Sequence, residues 1–287
     1  MALIAAVLAP TDAALGEAVF KNKSVPDEVR QTLTVESGLN DGLALPIILF
    51  LASLTATTAL TTESHAQLSW LWFGLSQVGI GLLVGVSLGW LSGYVFLYAA
   101  SHKLSSEVFE GIGVLALAGV SYLVAYLLGG NGFIAAFVSG LTFGNIVKNH
   151  CRFIYKFTES EGQILVWSAF TIIGLGLLPN AISHLSLPVV AYIFVSLFAV
   201  RPFAIYISLL GTKTSLATRV FMGWFGPRGL ATALFALLVS RQILGEHSEA
   251  VLIVAINAVW ISTLLHGISA APAAKWYGTR MRSKSSD

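Results

Sequence analysis

Nine runs of mostly apolar residues, parted by short polar breaks, constrain this chain more than any other feature. They fall at roughly 1–20, 31–60, 68–100, 106–128, 132–147, 158–180, 186–210, 216–241 and 249–274. About 20 such residues, coiled as a helix, match the hydrocarbon thickness of a bilayer. The fourth and fifth runs are parted only by Gly129-Gly130-Asn131-Gly132, which reads as a tight turn. Composition agrees: 56% of the 287 residues are hydrophobic and 10% charged, where an ordinary soluble domain is about a quarter charged. Mean hydropathy is +0.80. The expectation is an all-α polytopic membrane protein of about nine transmembrane helices.

Basic residues give that count an independent check. Lys275, Arg280, Arg282 and Lys284 mark the C-terminal side as cytoplasmic by the positive-inside rule. Alternation then puts Lys213 and Arg219, Lys148, Arg152 and Lys156, Lys103, and Lys21, Lys23 and Arg30 on the same side, while the loops near 61–67, 129–131, 181–187 and 242–248 hold no Lys or Arg. An odd number of spans places Met1 outside. The first run has no basic start and carries Asp12, which argues against a signal peptide. The expectation is therefore the downstream part of a longer protein.

The informative polar residues lie inside apolar runs, where charge is costly and marks function. The densest stretch is Val35-Glu36-Ser37-Gly38-Leu39-Asn40-Asp41-Gly42-Leu43-Ala44-Leu45-Pro46. At 100° per residue Ser37 and Asp41 share one helix face and Glu36 and Asn40 another, so the two acids point about 140° apart and have separate tasks. Upstream, Pro10-Thr11-Asp12 interrupts the first run and points to broken backbone lining a cavity. Pro227 breaks the eighth run in the same way, beside Arg228. Paired interrupted helices in corresponding halves of a chain point to a transport site.

Other residues carry plainer readings. Gly81, Gly85, Gly89 and Gly93 recur every fourth position and form a close-packing face. The single cysteine, Cys151, excludes a disulfide framework within the chain and reads as an ordinary thiol. His65, His102, His150, His184 and His247 fall at loops or helix ends without metal-ligand spacing. His266, within the last run, reads as a helix-packing histidine, with pH sensing as the alternative. Trp70, Trp72 and Trp276 suit interfacial belts.

Leu8-Ala9-Pro10-Thr11-Asp12-Ala13-Ala14-Leu15-Gly16, then Glu36-Ser37-Gly38-Leu39-Asn40-Asp41-Gly42, then Phe225-Gly226-Pro227-Arg228-Gly229-Leu230 resemble, in that order, the NhaP-type bacterial cation:proton antiporters of the sodium/hydrogen exchanger family. Ala13 departs from the Pro that often follows Thr-Asp there. The resemblance implies an inverted-repeat antiporter fold of about 13 helices with two broken, crossing helices, of which these nine match the fifth to thirteenth. It divides the chain into 1–60, the first two helices of an ion-binding core; 68–180, a linker helix and scaffold or dimer-type helices; 186–274, three further core helices; and 275–287, a cytoplasmic tail.

The resemblance also implies roles. Asp41 takes either a proton or a monovalent cation, Na⁺ being the first expectation, with Thr11 and Ser37 as further oxygen ligands. A neutral, hydrogen-bonded structural Asp41 is the alternative. Asn40 leaves one titrating group in the pair, a pattern that accompanies electroneutral exchange, and its amide is expected to bond the broken backbone. Asp12 either caps a half-helix or takes part in ion binding; for Thr11 the plainer reading is a hydroxyl bonded to the previous turn. Glu36 and Arg201 are expected to pair, since a buried cation and a buried anion each need a partner; for Arg201 the alternative is snorkelling to the interface. Arg228 either offsets half-helix carbonyl ends or reaches headgroups.

The function implied is secondary active exchange of a monovalent cation for H⁺ by alternating access, in the bacterial inner membrane, with lipid and a second copy of the chain as partners. No cofactor, enzymatic step or nucleic acid is implied. An ion channel or structural subunit is one rival. An intramembrane aspartyl protease using Asp12 and Asp41 is another, but the chain has no Gly-x-Gly-Asp, and Glu36 and Arg201 would go unexplained.

Overall fold

Backbone in hydrocarbon must satisfy its own polar groups, so apolar runs of this length coil into helices. The computed structural model describes residues 1–287 apart from 13, 17, 18, 20, 21, 58–65, 105, 148–151, 242–245 and 286–287. Ala13, Lys21, His65, Lys148, His150 and Cys151 therefore lie outside the described residues, as do the side chains of Trp70, Arg152, Lys156, His247, Arg282 and Lys284. The helices are α1 Ala2–Val7, α2 Asp27–Thr57, α3 Ala66–Ser101, α4 Glu107–Leu127, α5 Gly132–Val147, α6 Arg152–Ser183, α7 Leu187–Val195, α8 Arg201–Ser208, α9 Leu216–Trp224, α10 Leu230–Ser240 and α11 Glu246–Ser285. A π-helical turn, Ser196–Val200, joins α7 to α8, and a 3₁₀ turn covers Ala14–Gly16.

Among the described residues, six stretches are long and apolar enough to cross a membrane: Asp27–Ala52, Leu75–Ser101, Val108–Leu127, Ser160–Ser183, Leu187–Ser208 and Ser248–Met281. The other three runs depart from a continuous span for separate reasons. The fifth is the shorter helix α5. In the first, α1 ends at Val7, ahead of Pro10, and the eighth is split into α9 and α10 by non-helical residues 225–229. The expected tail at 275–287 is not a separate element, because α11 continues to Ser285. Lys and Arg are good helix formers and suit a helix C-terminus, and the Arg280 guanidinium lies over the Trp276 ring at 5.7 Å.

The chain forms two compact units, cut at other points than the sequence division. One comprises Met1–Asn40, Leu51–Thr58 and Ala169–Asp287; the other comprises Asp41–Phe50 and Ala59–Ser168. Helix α2 contributes to both.

In the second unit, α3 and α5 pack closely and α4 turns back onto them. The close approach comes from the glycine stripe. A Cβ at Gly85 would stand 2.8 Å from the Ala135 carbonyl oxygen and from Val138 Cβ, and one at Gly93 would stand 3.0 Å from Ile146. Without a hydrophobic drive between helices in lipid, such backbone proximity supplies the packing. Leu117, Phe143 and Val147, with Val84, Ala125 and Ala135, are buried around it. The α4–α5 turn needs Gly129 at φ 76°, a conformation open to glycine.

In the first unit, α11 is the central post. Val254, Ala258 and Ile261 pack on Leu8, Ile193 and Leu197. Lower on the same helix, Ala270, Ala274 and Tyr277 pack on Val25, Val29 and Leu33 of the α2 end and on Phe221, Met222 and Phe225. The buried Tyr277 hydroxyl lies 2.8 Å from Thr218 Oγ1, which satisfies both.

The glycine stripe generates a prediction. Gly85→Val drives a branched side chain into the α5 backbone and should cost about 1–3 kcal/mol, as overpacking does. Gly140→Ala, where a Cβ meets nothing within 4 Å, should leave the melting temperature in detergent unchanged. Equal melting temperatures for both variants would mean that the stripe is not a tight interface.

Candidate cation-binding site

The site begins where two helices stop. Pro10 has no N–H to continue α1, and residues 9–12 run on as non-helical backbone. Thr11, 1% exposed, is thereby brought to α2, where its Oγ1 lies 3.1 Å from Ser37 Oγ. The hydroxyl does not bond a preceding turn but faces another hydroxyl. Asp41, half-buried, stands one turn along α2 from Ser37, on the same helix face.

The second break, 225–229, meets the first. The Asp12 N–H donates to the Pro227 carbonyl at 2.8 Å. The Asp12 carboxylate in turn accepts the N–H of Leu230, the first residue of α10, at 2.8 Å. A carboxylate at a helix N-terminus opposes the positive end of the dipole and takes up an orphan donor. Of its two readings, Asp12 shows the geometry of the cap.

Arg228 does the converse for α1. Its Nη1 donates to the carbonyls of Ala9 at 3.0 Å and Pro10 at 3.3 Å, just past the helix C-terminus. Its own backbone N–H donates to Ser262 Oγ at 2.8 Å. At 4% exposure it does not reach for headgroups. The two flanking glycines make room: a Cβ at Gly229 would overlap the Asp12 carboxylate, and one at Gly226 would overlap the Arg201 guanidinium.

Arg201 is turned inward by the π-helical turn before it, in which its N–H bonds the Ser196 carbonyl; such an extra residue re-aims side chains and is frequent at functional sites. Arg201 Nη1 and Nη2 donate to Glu36 Oε1 and Oε2 at 2.8 and 3.0 Å, and Nη2 also donates to the Phe225 carbonyl at 2.9 Å. The pair is bidentate, with 7% and 23% of the two side chains exposed. Two-point geometry with a third acceptor is what offsets the desolvation of a buried ion pair. The Arg201 side chain is buried, not snorkelled.

Asn40 differs from the expectation drawn for it. It lines a cavity of about 450 Å³ with Glu36, Tyr192, Ser196, Arg201 and Arg228, and among the described residues its amide makes no hydrogen bond to the broken backbone. Arg228 already occupies the carbonyls of Ala9 and Pro10.

His266, which the sequence marks as a packing histidine, also holds the second break in place. The buried His266 ring lies 2.9 Å from the Trp224 carbonyl through Nε2 and 2.8 Å from the Ser262 carbonyl through Nδ1. It stacks on Trp224, as a packing histidine would. Ser262 and His266, four residues apart in an apolar run, were the available signal.

The ion pair generates a prediction in the full-length protein. Glu36→Ala or Arg201→Ala alone leaves a buried charge uncompensated and should cost about 3–5 kcal/mol, while the double variant should recover much of that loss. Melting temperatures of the three variants check this; simple additivity would mean that the two charges do not stabilise each other.

Residues 1–276 match the family model described as "Sodium/hydrogen exchanger, transmembrane". The chain is 28% identical over 276 residues to the K(+)/H(+) antiporter NhaP2 of Shewanella baltica and 29% identical over 279 residues to the K(+)/H(+) antiporter NhaP of Alkalimonas amylolytica, covering 95% and 96% of this chain and 46% of each relative. It is 25% identical over 289 residues to the Na(+)/H(+) antiporter NhaG of Bacillus atrophaeus, covering 98% of the chain and 53% of that protein. The chain thus spans about half the length of the curated relatives it matches. Its fold is similar to that of the sodium proton antiporter MjNhaP1 from Methanocaldococcus jannaschii at pH 8, with a TM-score of 0.75 at 20% identity over 96% of this chain and 70% of that one. The chain belongs to the sodium/hydrogen exchanger family.

Proposed function

We propose that this chain carries the exchange site of an antiporter that moves a monovalent cation one way and H⁺ the other by alternating access. The observation that carries the proposal is the pair of broken backbones bonded to each other at Asp12, Pro227 and Arg228, with the Thr11 and Ser37 hydroxyls 3.1 Å apart beside them. Non-helical backbone of this kind is tolerated at membrane depth where it lines a cavity or is buried in protein. Asp41 is the exchanging group, Thr11 and Ser37 supply neutral oxygens, and Asp12, Glu36, Asn40, Arg201 and Arg228 hold the surroundings.

In this reading Glu36 keeps its charge against Arg201, so Asp41 is left to alternate between a proton and a cation, and exchange is electroneutral. Na⁺ follows from the resemblance of the motifs; K⁺ stands beside it because the NhaP2 and NhaP relatives bear K⁺ in their names. The protein works in the plasma membrane as a homodimer with its C-terminus in the cytoplasm. A proteolytic role for Asp12 and Asp41 has no support, since the relatives are antiporters and the Asp12 carboxylate is engaged by α10.

Vesicles holding the full-length protein, given Na⁺, Li⁺ or K⁺ in turn, test this. Asp41→Asn is expected to abolish cation-driven proton release and cation binding together; exchange at near the parent rate would overturn the role given to Asp41. In the parent protein the apparent KM for the cation should rise as acid protonates Asp41, approaching about tenfold per pH unit for one competing proton. An imposed voltage should leave the rate almost unchanged. A slope near two protons, or strong voltage dependence, would mean that a second carboxylate travels with the substrate.

A further inference from the structure

We infer that Asn131 is a positioning residue for Asp41: its side-chain amide replaces the backbone N–H that Pro46 removes from α2, and so fixes the turn that carries the carboxylate. In an α-helix the carbonyl of Gly42 accepts from the N–H of residue 46. Here residue 46 is proline, inside α2, and has no N–H to give. In hydrocarbon a carbonyl left this way has no water to turn to. Asn131 Nδ2 donates to it at 2.8 Å.

The amide is aimed, not incidental. Asn131 is 1% exposed and sits immediately before α5, where its Oδ1 accepts the N–H groups of Phe133 at 2.9 Å and Ile134 at 3.1 Å. Its own N–H donates to the Gln77 carbonyl at 2.9 Å, and Gln77 Nε2 donates to the Gly129 carbonyl at 2.6 Å. Two donors facing Oδ1 leave only the NH₂ end for Gly42, so the orientation follows from chemistry. Gly42 is itself required for the approach, because a Cβ there would overlap Ile134.

Gly42 follows Asp41 directly. A helix lacking its 42-to-46 bond can bend there, and a small displacement of a binding group is costly to function. The α4–α5 turn therefore splints α2 next to the carboxylate. This use of Asn131 rests on the proposed exchange at Asp41, whereas the splint itself does not.

The test uses the full-length protein in vesicles and in detergent. Asn131→Ser keeps a capping hydroxyl for α5 but is too short to reach Gly42. It is expected to raise the apparent KM for the transported cation several-fold, with a smaller change in maximal rate, and to lower the melting temperature. Pro46→Ala restores the N–H, so in that background Asn131→Ser should produce little further change in either quantity. A parent-like KM for Asn131→Ser, or penalties of equal size with and without Pro46, would overturn the inference. If the parent shows no exchange, the exchange reading fails, and the inference is still decided by whether the two substitutions are non-additive in melting temperature. If Asn131→Ser alone does not accumulate in the membrane, the double variant should; its failure to do so would also overturn the inference.

Discussion

Everything around the site depends on two helix ends satisfying each other. α1 stops with carbonyls exposed at Ala9 and Pro10, and Arg228 covers them. α10 starts with an N–H at Leu230, and Asp12 covers it. Each break thus supplies the charge that the other requires, which is how non-helical backbone persists among apolar side chains without a large unpaired cost. Break one partner and the opposite helix end is orphaned along with the charge.

That mutual cover is held from behind by α11. Ser262 accepts the Arg228 N–H, and His266 lies against the Trp224 carbonyl, so one helix of the apolar core fixes the position of a loop. Arg201 ties the same loop to α2 through Phe225 on one side and Glu36 on the other. Around the two breaks the polar groups form a connected set in which Asp12, Glu36, Arg201 and Arg228 each have a partner, as buried ionic groups in a low dielectric require.

The second unit serves α2 differently. Its glycine stripe lets α3 and α5 approach, and the turn before α5 delivers Asn131 to the carbonyl that Pro46 frees. The helix that bears Ser37 and Asp41 thus meets Arg201 at Glu36, Thr11 at Ser37 and Asn131 at Gly42.

By itself, the sequence determined the class, the apolar runs and the identity of the charged groups. Apolar runs of bilayer length leave few alternatives to a helical membrane protein, and the family resemblance together with charge accounting paired Glu36 with Arg201. The 3.6-residue period placed Ser37 and Asp41 on one face. Tertiary structure decided the assignments that depend on contacts between remote parts of the chain: which break Arg228 serves, that Asp12 caps α10, and that Asn40 opens on a cavity. It also decided where α11 ends, because charge alone does not show whether a basic segment continues a helix. Hydrogen bonds between remote helix ends leave no periodic trace in a sequence, since either partner by itself is only a polar residue in an apolar run.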